Sequence, residues 1–453
     1  MTSQNPPRLW LMDDNVIGSG GHFLELASLL ASSGTEMGYA SRLAVHQSFD
    51  PDESELGCDP IFRVRRMTRW SLGVDGGSRV MRNALGEPIG STWGKRTWHR
   101  FRDPLSVRNP TPATMLQCWS EDFQTLVQQE KPGPHDRMVI NTGDDFQLLA
   151  LGRALSELDL AHSLTIHVIL HFALYEGAEP DAQARLYGKQ VNAVLSGIKG
   201  HRIRLHSTTE PLARQLDEVG VKVTPIPYPV RSRAMVDQSR ERLSLDQRSL
   251  KIVLAGLPRA EKGRGHMKAM LSGIWDTHLK TDDFSIAMQM PRRRWERMIP
   301  RELRGEYRRA MEKQEPDAAN RLEIKSGDLD AESYNRFLDS ADIGLFLYDP
   351  QRYVARCSGV LLEMFLRGVP VIVPKGCWLS EQLDLAGGEG GIGYSYQSID
   401  QLPQLLYQVR REYSSLQRRA AVHAQRIREV HNAGNTLREM GIPAPAGSLL
   451  RAS

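Results

Sequence analysis

The sequence has few cysteines, no long apolar run and little excess charge of either sign. Its four cysteines stand far apart, without the short paired spacing of a zinc site, and we interpret them as reduced thiols. The most apolar stretches are only as long as a strand, and the N-terminus lacks the zones of a signal peptide, so a cytoplasmic protein is expected. The formal net charge of +4 comes from 58 Lys and Arg against 54 Asp and Glu. This surplus is small for a nucleic-acid-binding protein, and no nucleic-acid partner is expected.

The length of the chain predicts more than one domain. Single hydrophobic cores stop growing at roughly 250 to 300 residues, and this chain has 453. Its 40% of hydrophobic residues is ordinary for a globular protein. Short apolar segments alternate with segments of helical periodicity in both halves, which is typical of βαβ units around mostly parallel sheets.

The N-terminal half, 1–230, begins with an apolar strand at 8–12, a glycine-rich turn, GSGGH, at 18–22, and a helix with Gly34 as its expected stop. The next apolar run, 37–44, predicts a second strand. Periodicity fades from about 61 to 103, where Arg, Trp and Gly alternate, and we place an irregular insertion there.

A proline-rich segment, TPIPYPVRSR at 224–233, predicts the linker between two domains. The alternation of strands and helices resumes after it, which predicts a second doubly wound domain over 245–430. A Gly-, Pro- and Ala-rich C-terminal tail follows at 431–453, and its end is expected to fray.

The first informative motif is GLPRAEKGRGH, 256–266, directly after an apolar strand. The carboxyl end of a parallel strand is where α/β sheets bind ligands. Arg259 and Lys262 would place two cations there, and Gly263 and Gly265 would let the backbone approach phosphate oxygens. The alternative is an exposed turn with solvated charges.

The second motif is YVARCSGVLLEMFLRGVPVIVP, 353–374, in which a turn of small residues opens a helix. Backbone N–H groups at a helix N-terminus favour an anion. A carboxylate one turn further along suits the ribose hydroxyls of a nucleotide, unless it is simply a surface residue of an amphipathic helix. The substrate-binding residues predicted here are Arg356, Ser358, Gly359, Val360 and Glu363.

In this order and spacing, the two motifs resemble the C-terminal domain of retaining GT-B glycosyltransferases. The matching elements are a basic residue (Arg259), the E-K-G turn (261–263), the S-G-x-x-x-E helix (358–363) and the G-x-P-V-I strand (368–372). The resemblance implies the GT-B fold, which consists of two Rossmann-like, doubly wound α/β domains with a cleft between them. It also implies transfer of a sugar from a nucleotide-sugar donor.

This sequence departs from the family pattern at two positions. The family commonly has Glu eight positions before the residue that matches Glu363, and Ala355 stands there. The phosphate-binding Arg usually follows the glycine of the first motif directly, where this chain has Leu257, and Arg259 is the expected substitute.

The GSGGH loop is similar to the family's glycine-rich loop near the donor diphosphate and the acceptor. We therefore predict that Gly20, Gly21 and His22 bind substrate, with His22 orienting an acceptor hydroxyl or acting as a base. A plain tight turn with a capping or solvated histidine is the alternative.

Two further candidates follow strands of the N-terminal half. His167 and His171 lie on the apolar segment LTIHVILHF, and the family has a sugar-contacting His near the end of a comparable strand, so His171 is chosen. Core histidines are the alternative. Asp144, in NTGDDF, is a candidate for binding acceptor hydroxyls, although capping of the following helix competes with that role.

The resemblance implies a reaction without a protein nucleophile, in which Arg259, Lys262 and the helix N-terminus neutralise the leaving diphosphate. Lys262, Arg259 and His171 are the predicted catalytic residues, and neither a metal nor a cofactor besides the nucleotide sugar is expected. The acceptor stays open among a glycan, a lipid-linked molecule and a small molecule.

Two arginine-rich stretches, 63–70 and 291–313, bear on a contact with membranes. The second predicts either a basic helix on anionic lipid at the inner membrane face or a solvated helix face. Two rival functions also remain: a GT-B epimerase or phosphorylase, and a degenerate GT-B scaffold that binds a nucleotide sugar or a partner without turnover.

Overall fold

The structure is a computed structural model, and it divides into two compact units. The first contains the residues up to Pro229 together with those from Ala433 onward, and the second runs from Val230 to Asn432. The structure describes residues 6–18, 22–54, 56–64, 68–69, 82–83, 112–231, 249–293, 295–305, 308, 321–327 and 329–445.

The first unit is built on a seven-stranded parallel sheet. Its strand order is β3-β2-β1-β6-β7-β8-β9. The strands are β1 (Arg8–Asp13), β2 (Ala40–His46), β3 (Cys58–Phe62), β6 (Arg137–Gly143), β7 (Thr165–Leu170), β8 (Arg202–Ser207) and β9 (Thr224–Pro225). A separate antiparallel pair, β4 (Thr68–Arg69) and β5 (Arg82–Asn83), falls within the predicted insertion, most of which lies outside the described residues.

Helices connect these strands, as the alternating sequence pattern predicts. They are α1 (His22–Glu36), α2 (Pro112–Glu130), α3 (Asp145–Glu157), α4 (Ala182–Gly197) and α5 (Glu210–Glu218). Side-chain caps fix two of the helix starts: Asp181 accepts a hydrogen bond from the Ala184 N–H, and Thr209 accepts one from the Leu212 N–H.

Gly34 does not end α1, contrary to the sequence prediction. The helix continues to Glu36, and Gly38, at φ +101°, makes the turn that follows it. A Cβ on Gly34 would lie 2.3 Å from Cδ2 of Leu9, so this glycine lets α1 pack closely on β1. The second strand accordingly begins at Ala40, later than the predicted residue 37.

The second unit is built on a six-stranded parallel sheet of order β12-β11-β10-β13-β14-β15. Its strands are β10 (Leu250–Leu254), β11 (Phe284–Met290), β12 (Leu322–Ser326), β13 (Ile343–Leu345), β14 (Val371–Pro374) and β15 (Gly393–Tyr396). Its helices include α6 (Met267–Ile274), α7 (Ala331–Asp339), α8 (Gly359–Leu366), α9 (Trp378–Leu385) and α10 (Leu402–Val430).

The described part of the C-terminal tail contributes to the core of the first unit. Helix α11 (Ala433–Glu439) packs on α1, and Leu437, Met440 and Ile442 are buried there. The Thr436 hydroxyl donates to the carbonyl of Pro227 at 2.8 Å. Burial of these apolar side chains explains why this segment is ordered despite its glycine and proline content. Residues 446–453 lie outside the described residues.

Both sheets have the strand order of the Rossmann fold, and the predicted fold class is confirmed. In each, the chain starts in the middle, winds to one edge, then returns to the centre and winds to the other. The order reverses between β1 and β6 in the first unit and between β10 and β13 in the second. Ligands of open α/β sheets bind at the carboxyl ends of the strands at such a reversal. The fold therefore gives each unit one candidate position for ligand binding.

The arginine-rich segment after β11 is not one continuous helix. In its described part, 295–297 and 301–303 form separate 3-10 turns, because Pro300 between them has no N–H to continue a helical hydrogen-bond ladder. In the part of the chain that the structure describes, no helix combines the length and apolar character needed to cross a membrane.

A pair of buried histidines lies between β7 and β8 and predicts acid sensitivity. Nδ1 of His167 and Nε2 of His206 are 3.0 Å apart. Burial, together with the positive charge of Arg204, lowers the pKa of His167 to about 2 and that of His206 to about 4. The unfolded chain binds protons here below about pH 6.5 while the folded chain does not, so the stability that these residues supply is complete above that pH and falls below it.

As the pH falls from roughly 6.5 to 4, we expect the free energy of unfolding of the first unit to fall by up to about 1.4 kcal/mol per histidine for each pH unit. The measurement is hydrogen exchange of β7 and β8 peptides in urea at pH 7 and pH 5, corrected for the intrinsic exchange rate. His206→Gln removes one of the two titrating groups and should reduce the pH dependence. An unchanged dependence in that variant would exclude the histidine pair as its source.

Candidate functional site

The turn after β10 is held by two glycines with positive φ. Gly256 has φ +85° and Gly263 has φ +75°. A Cβ on Gly263 would lie 1.8 Å from the carbonyl oxygen of Leu347, so the turn packs directly on the segment that follows β13. Between the two glycines, residues 260–262 form a 3-10 turn. This contact joins the carboxyl ends of β10 and β13, the two strands at the reversal point.

Lys262 lies in this turn with its ammonium over an aromatic ring. Its Nζ is 5.6 Å from the ring centre of Tyr348, and a Cβ on Gly256 would lie 2.7 Å from the same atom. Burial lowers the pKa of Lys262, and the positive charges of Arg259 and Arg356 lower it further. The ammonium is thus a partly desolvated cation that is packed on bare backbone.

The three predicted cations, Arg259, Lys262 and Arg356, occur together at the carboxyl ends of the central strands. Arg259 is exposed, and its carbonyl accepts hydrogen bonds from the N–H groups of Lys262 (3.1 Å) and Arg264 (3.0 Å). The Arg356 guanidinium lies 5.2 Å from the ring centre of Tyr353. The Tyr353 ring lies 4.5 Å from the Tyr348 ring that the Lys262 ammonium contacts, so the structure brings Arg356 to the turn that carries Lys262 and Arg259. An anionic ligand is favoured there.

Helix α8 begins in the same region. The Ser358 side chain caps it by accepting a hydrogen bond from the N–H of Leu361 at 3.3 Å, so its hydroxyl serves the helix. Gly359 and Val360 form the first turn, whose N–H groups have no partner within a helix and carry the positive end of its dipole. The predicted helix start is therefore confirmed, and its binding of an anion stays a prediction.

Glu363 stands one turn into α8 and is partly exposed. Its Oε2 accepts a hydrogen bond from the Tyr334 hydroxyl on α7 at 3.0 Å, and Arg367 donates to its carbonyl oxygen at 2.9 Å. Burial, with the nearby Glu363 carboxylate, raises the pKa of Tyr334 and keeps the phenol a donor. Tyr334 thereby fixes the orientation of the predicted ribose-binding carboxylate.

Sequence reasoning missed Gln289, near the end of β11. Its Oε1 accepts from the Gly256 N–H at 3.0 Å and its Nε2 donates to the Gly327 carbonyl at 2.8 Å, so it links the carboxyl ends of three strands. The one feature of the sequence that could have indicated this role is a single amide side chain near the end of the otherwise apolar strand FSIAMQM. Gln289, Gly256, Lys262 and Tyr348 line a small cavity at this edge, together with Leu254, Ala255, Pro258, Met267, Leu345 and Leu347.

The two departures from the family pattern have clear structural settings. Ala355 is fully buried, so its methyl group belongs to the packed interior of the loop before α8. Leu257, in the position of the usual arginine, is partly exposed next to the cation cluster. The second unit therefore lacks two charged groups that the family pattern supplies.

In the first unit, His171 and Asp144 line one small cavity at the carboxyl ends of β7 and β6. His171 follows β7 directly, and its Nε2 is 2.6 Å from the carbonyl oxygen of Asn141. Asp144 caps α3, since its carboxylate accepts from the Phe146 N–H at 3.0 Å. The capping role considered for Asp144 is confirmed, while His171 presents an imidazole at the cavity.

Most of the predicted glycine-rich loop, 18–22, lies outside the residues that the structure describes. Gly20 and Gly21 lie outside the described residues, and His22 is the first residue of α1. Before this loop in the sequence is a buried polar cluster in which Oδ2 of Asp13 accepts from the Thr142 hydroxyl at 2.8 Å. Burial raises the pKa of Asp13 to about 6, and hydrogen bonds from Asn15 and Thr142 oppose the rise. The cluster joins the end of β1 to β6.

The described part of the chain contains no group of three or more His, Cys, Asp or Glu side chains arranged to hold a metal ion. All four cysteines are free thiols.

Comparison with solved structures identifies the architecture. HepE from Anabaena, in complex with UDP, aligns over 96% of this chain and 98% of its own, with a TM-score of 0.56 at 12% identity. A glycosyltransferase from Rickettsia africae aligns over 99% and 100%, with a TM-score of 0.57 at 11% identity. The chain has the GT-B fold.

A UDP-forming α,α-trehalose-phosphate synthase from Burkholderia xenovorans shares this GT-B fold over 97% of this chain and 100% of its own, with a TM-score of 0.55 at 14% identity. No protein-family model and no curated protein matches the sequence. At such low identity the structural likeness establishes the fold, and the reaction is argued from the site itself.

Proposed function

We propose that this protein is a glycosyltransferase that transfers a sugar from a nucleotide-sugar donor. The observation that supports the proposal is the cluster of Arg259, Lys262 and Arg356 with the start of α8, at the strand reversal of the second unit. The second unit is then the donor domain and the first the acceptor domain.

The proposed role of this cluster in the reaction is electrostatic stabilisation of the leaving group. When the bond from the sugar to the diphosphate breaks, negative charge develops on the departing diphosphate oxygen. Fixed cations and N–H groups stabilise that charge most where water is partly excluded, as it is around Lys262. Because these groups can neutralise the leaving diphosphate, we propose a reaction without a metal ion or further cofactor. Retention at the sugar is proposed from the resemblance of the sequence motifs to retaining enzymes. His171 would contact the donor sugar.

The acceptor is unidentified, and a glycan, a small molecule and a lipid-linked molecule all remain candidates. A lipid-linked acceptor would suit the exposed arginines of the segment 292–304, which could lie on anionic lipid at the inner face of a membrane. The expected cytoplasmic location stays a prediction.

Calorimetric titration with UDP, GDP and ADP, each with and without magnesium, tests the donor site. We expect selective, magnesium-independent binding of one diphosphate, and release of that diphosphate from its nucleotide sugars when an acceptor extract is added. Failure of a folded sample to bind any of the three would refute the proposed donor site.

The second candidate is a degenerate GT-B scaffold, which Leu257 and buried Ala355 favour because two charged site positions are lost. It predicts nucleotide-sugar binding with no diphosphate release across a broad acceptor panel. Turnover with any acceptor would exclude it.

A further inference from the structure

Arg292 lies two residues beyond the end of β11, at the carboxyl ends of the strands, where the candidate donor site also lies. Its side chain is exposed, and no carboxylate pairs with it among the described residues. Other arginines of this unit are paired: Arg321 with Asp282 and Arg367 with Asp339, each at 2.7 Å. Among the described residues, Arg292 therefore presents a charge without a paired carboxylate at the carboxyl end of the sheet, where the candidate donor site lies.

The backbone at Gly327 is shaped to receive this arginine. Gly327 has φ +79°, and a Cβ built there would lie 2.8 Å from Nε of Arg292, 3.3 Å from its Cγ and 3.5 Å from its Cδ. The side chain thus rests on bare glycine backbone that no other L-residue could provide without displacing it. Such packing restricts the conformations of a long, flexible side chain and reduces the entropy lost when it binds.

Arg292 is also connected to the donor site through hydrogen bonds. Gln289 donates to the carbonyl of Gly327, on which Arg292 rests, and accepts from the N–H of Gly256. Gly256 in turn packs against the Lys262 ammonium. The two cations therefore stand on one hydrogen-bonded framework that spans β10, β11 and the end of β12.

We propose that Arg292 is a further nucleotide-binding residue, and that its guanidinium takes a phosphate oxygen of the nucleotide whose diphosphate lies at Lys262. The inference rests on the proposed function. β11 pairs directly with β10, so the carboxyl end of β11 adjoins the turn that holds Lys262. A guanidinium matches phosphate oxygens in planar, bidentate geometry. Arg292 would then supply a charge that Leu257 does not.

The test is calorimetric titration of the full chain with UDP, GDP and ADP and with the matching nucleosides. The variant is Arg292→Gln, and the matched control is Arg321→Gln. Arg321 is an arginine of the same unit that directly precedes β12, so it lies at the amino ends of the parallel strands, away from the candidate site. Thermal melts of both variants check that each is folded.

We expect Arg292→Gln to weaken binding of the preferred diphosphate on the order of tenfold, and to leave nucleoside binding unchanged. Arg321→Gln should bind like the wild type. The inference is overturned if the two variants agree within about twofold, or if nucleoside binding falls as much as diphosphate binding. A wild-type protein that binds no diphosphate refutes the proposed function itself, whereas normal binding by Arg292→Gln refutes this inference alone.

Discussion

Replacing Lys262 by alanine is expected to lower turnover by a factor on the order of 10², the effect of removing one preorganised stabilising group from a leaving anion. The ammonium is partly desolvated and lies over Tyr348. Its interaction with the departing diphosphate is therefore little weakened by water, and a solvent molecule in its place would have to reorient during the reaction.

The measurement is initial rate at saturating donor, with Lys280→Ala as the matched control. Lys280 is an exposed lysine of the same unit that pairs with Asp276 before β11 begins, at the amino edge of the sheet. Full turnover in Lys262→Ala would remove Lys262 from the mechanism. An equal loss in both variants would indicate a general effect of lost charge.

The second large effect is expected from Gly263→Ala. A Cβ at this position would lie 1.8 Å from the carbonyl oxygen of Leu347 and 2.5 Å from its Cβ, at a φ of +75° that alanine adopts at a cost. The contact is with backbone, so a side-chain rotation cannot relieve it. We expect the second unit to lose roughly 2 to 4 kcal/mol of stability and the protein to lose most of its diphosphate affinity, because Lys262 is the adjacent residue.

Gly265→Ala is the control for this variant, since nothing lies within 4 Å of a Cβ at position 265. Thermal unfolding and diphosphate titration of the two variants separate a local clash from a general effect of glycine replacement. Comparable unfolding temperatures and affinities in both would show that the Gly263 contact does not maintain the site.

Gly263 and Gly265 show what the structure adds to a sequence motif. We predicted that both glycines allow close approach of the backbone to phosphate. The structure gives Gly263 a packing role against Leu347, whereas the space at the Cβ position of Gly265 is open among the described atoms, and the approach of its backbone to phosphate stays a prediction. A glycine in a motif marks a position where a side chain is disfavoured, but the neighbour that disfavours it comes from elsewhere in the chain.

Much of the candidate donor site could be predicted because its parts are local. The turn at 256–263 and the start of α8 after Ser358 each depend on a few consecutive residues, and the structure shows both. Their proximity followed from the rule that parallel strands bring their carboxyl ends to one edge. The roles of Gln289, Tyr334 and Arg292 could not be predicted, since each partner lies about 30 or more residues away.

The sequence by itself determined that this protein is a pair of doubly wound α/β units, because the spacing of apolar residues sets helix and strand and their alternation sets parallel sheets. Only the tertiary structure decided that the C-terminal residues complete the first unit and that Ala355 is buried. It alone placed the Arg292 side chain on Gly327. These outcomes depend on which distant segments meet, and packing distances of a few ångströms are not encoded in any local pattern of residues.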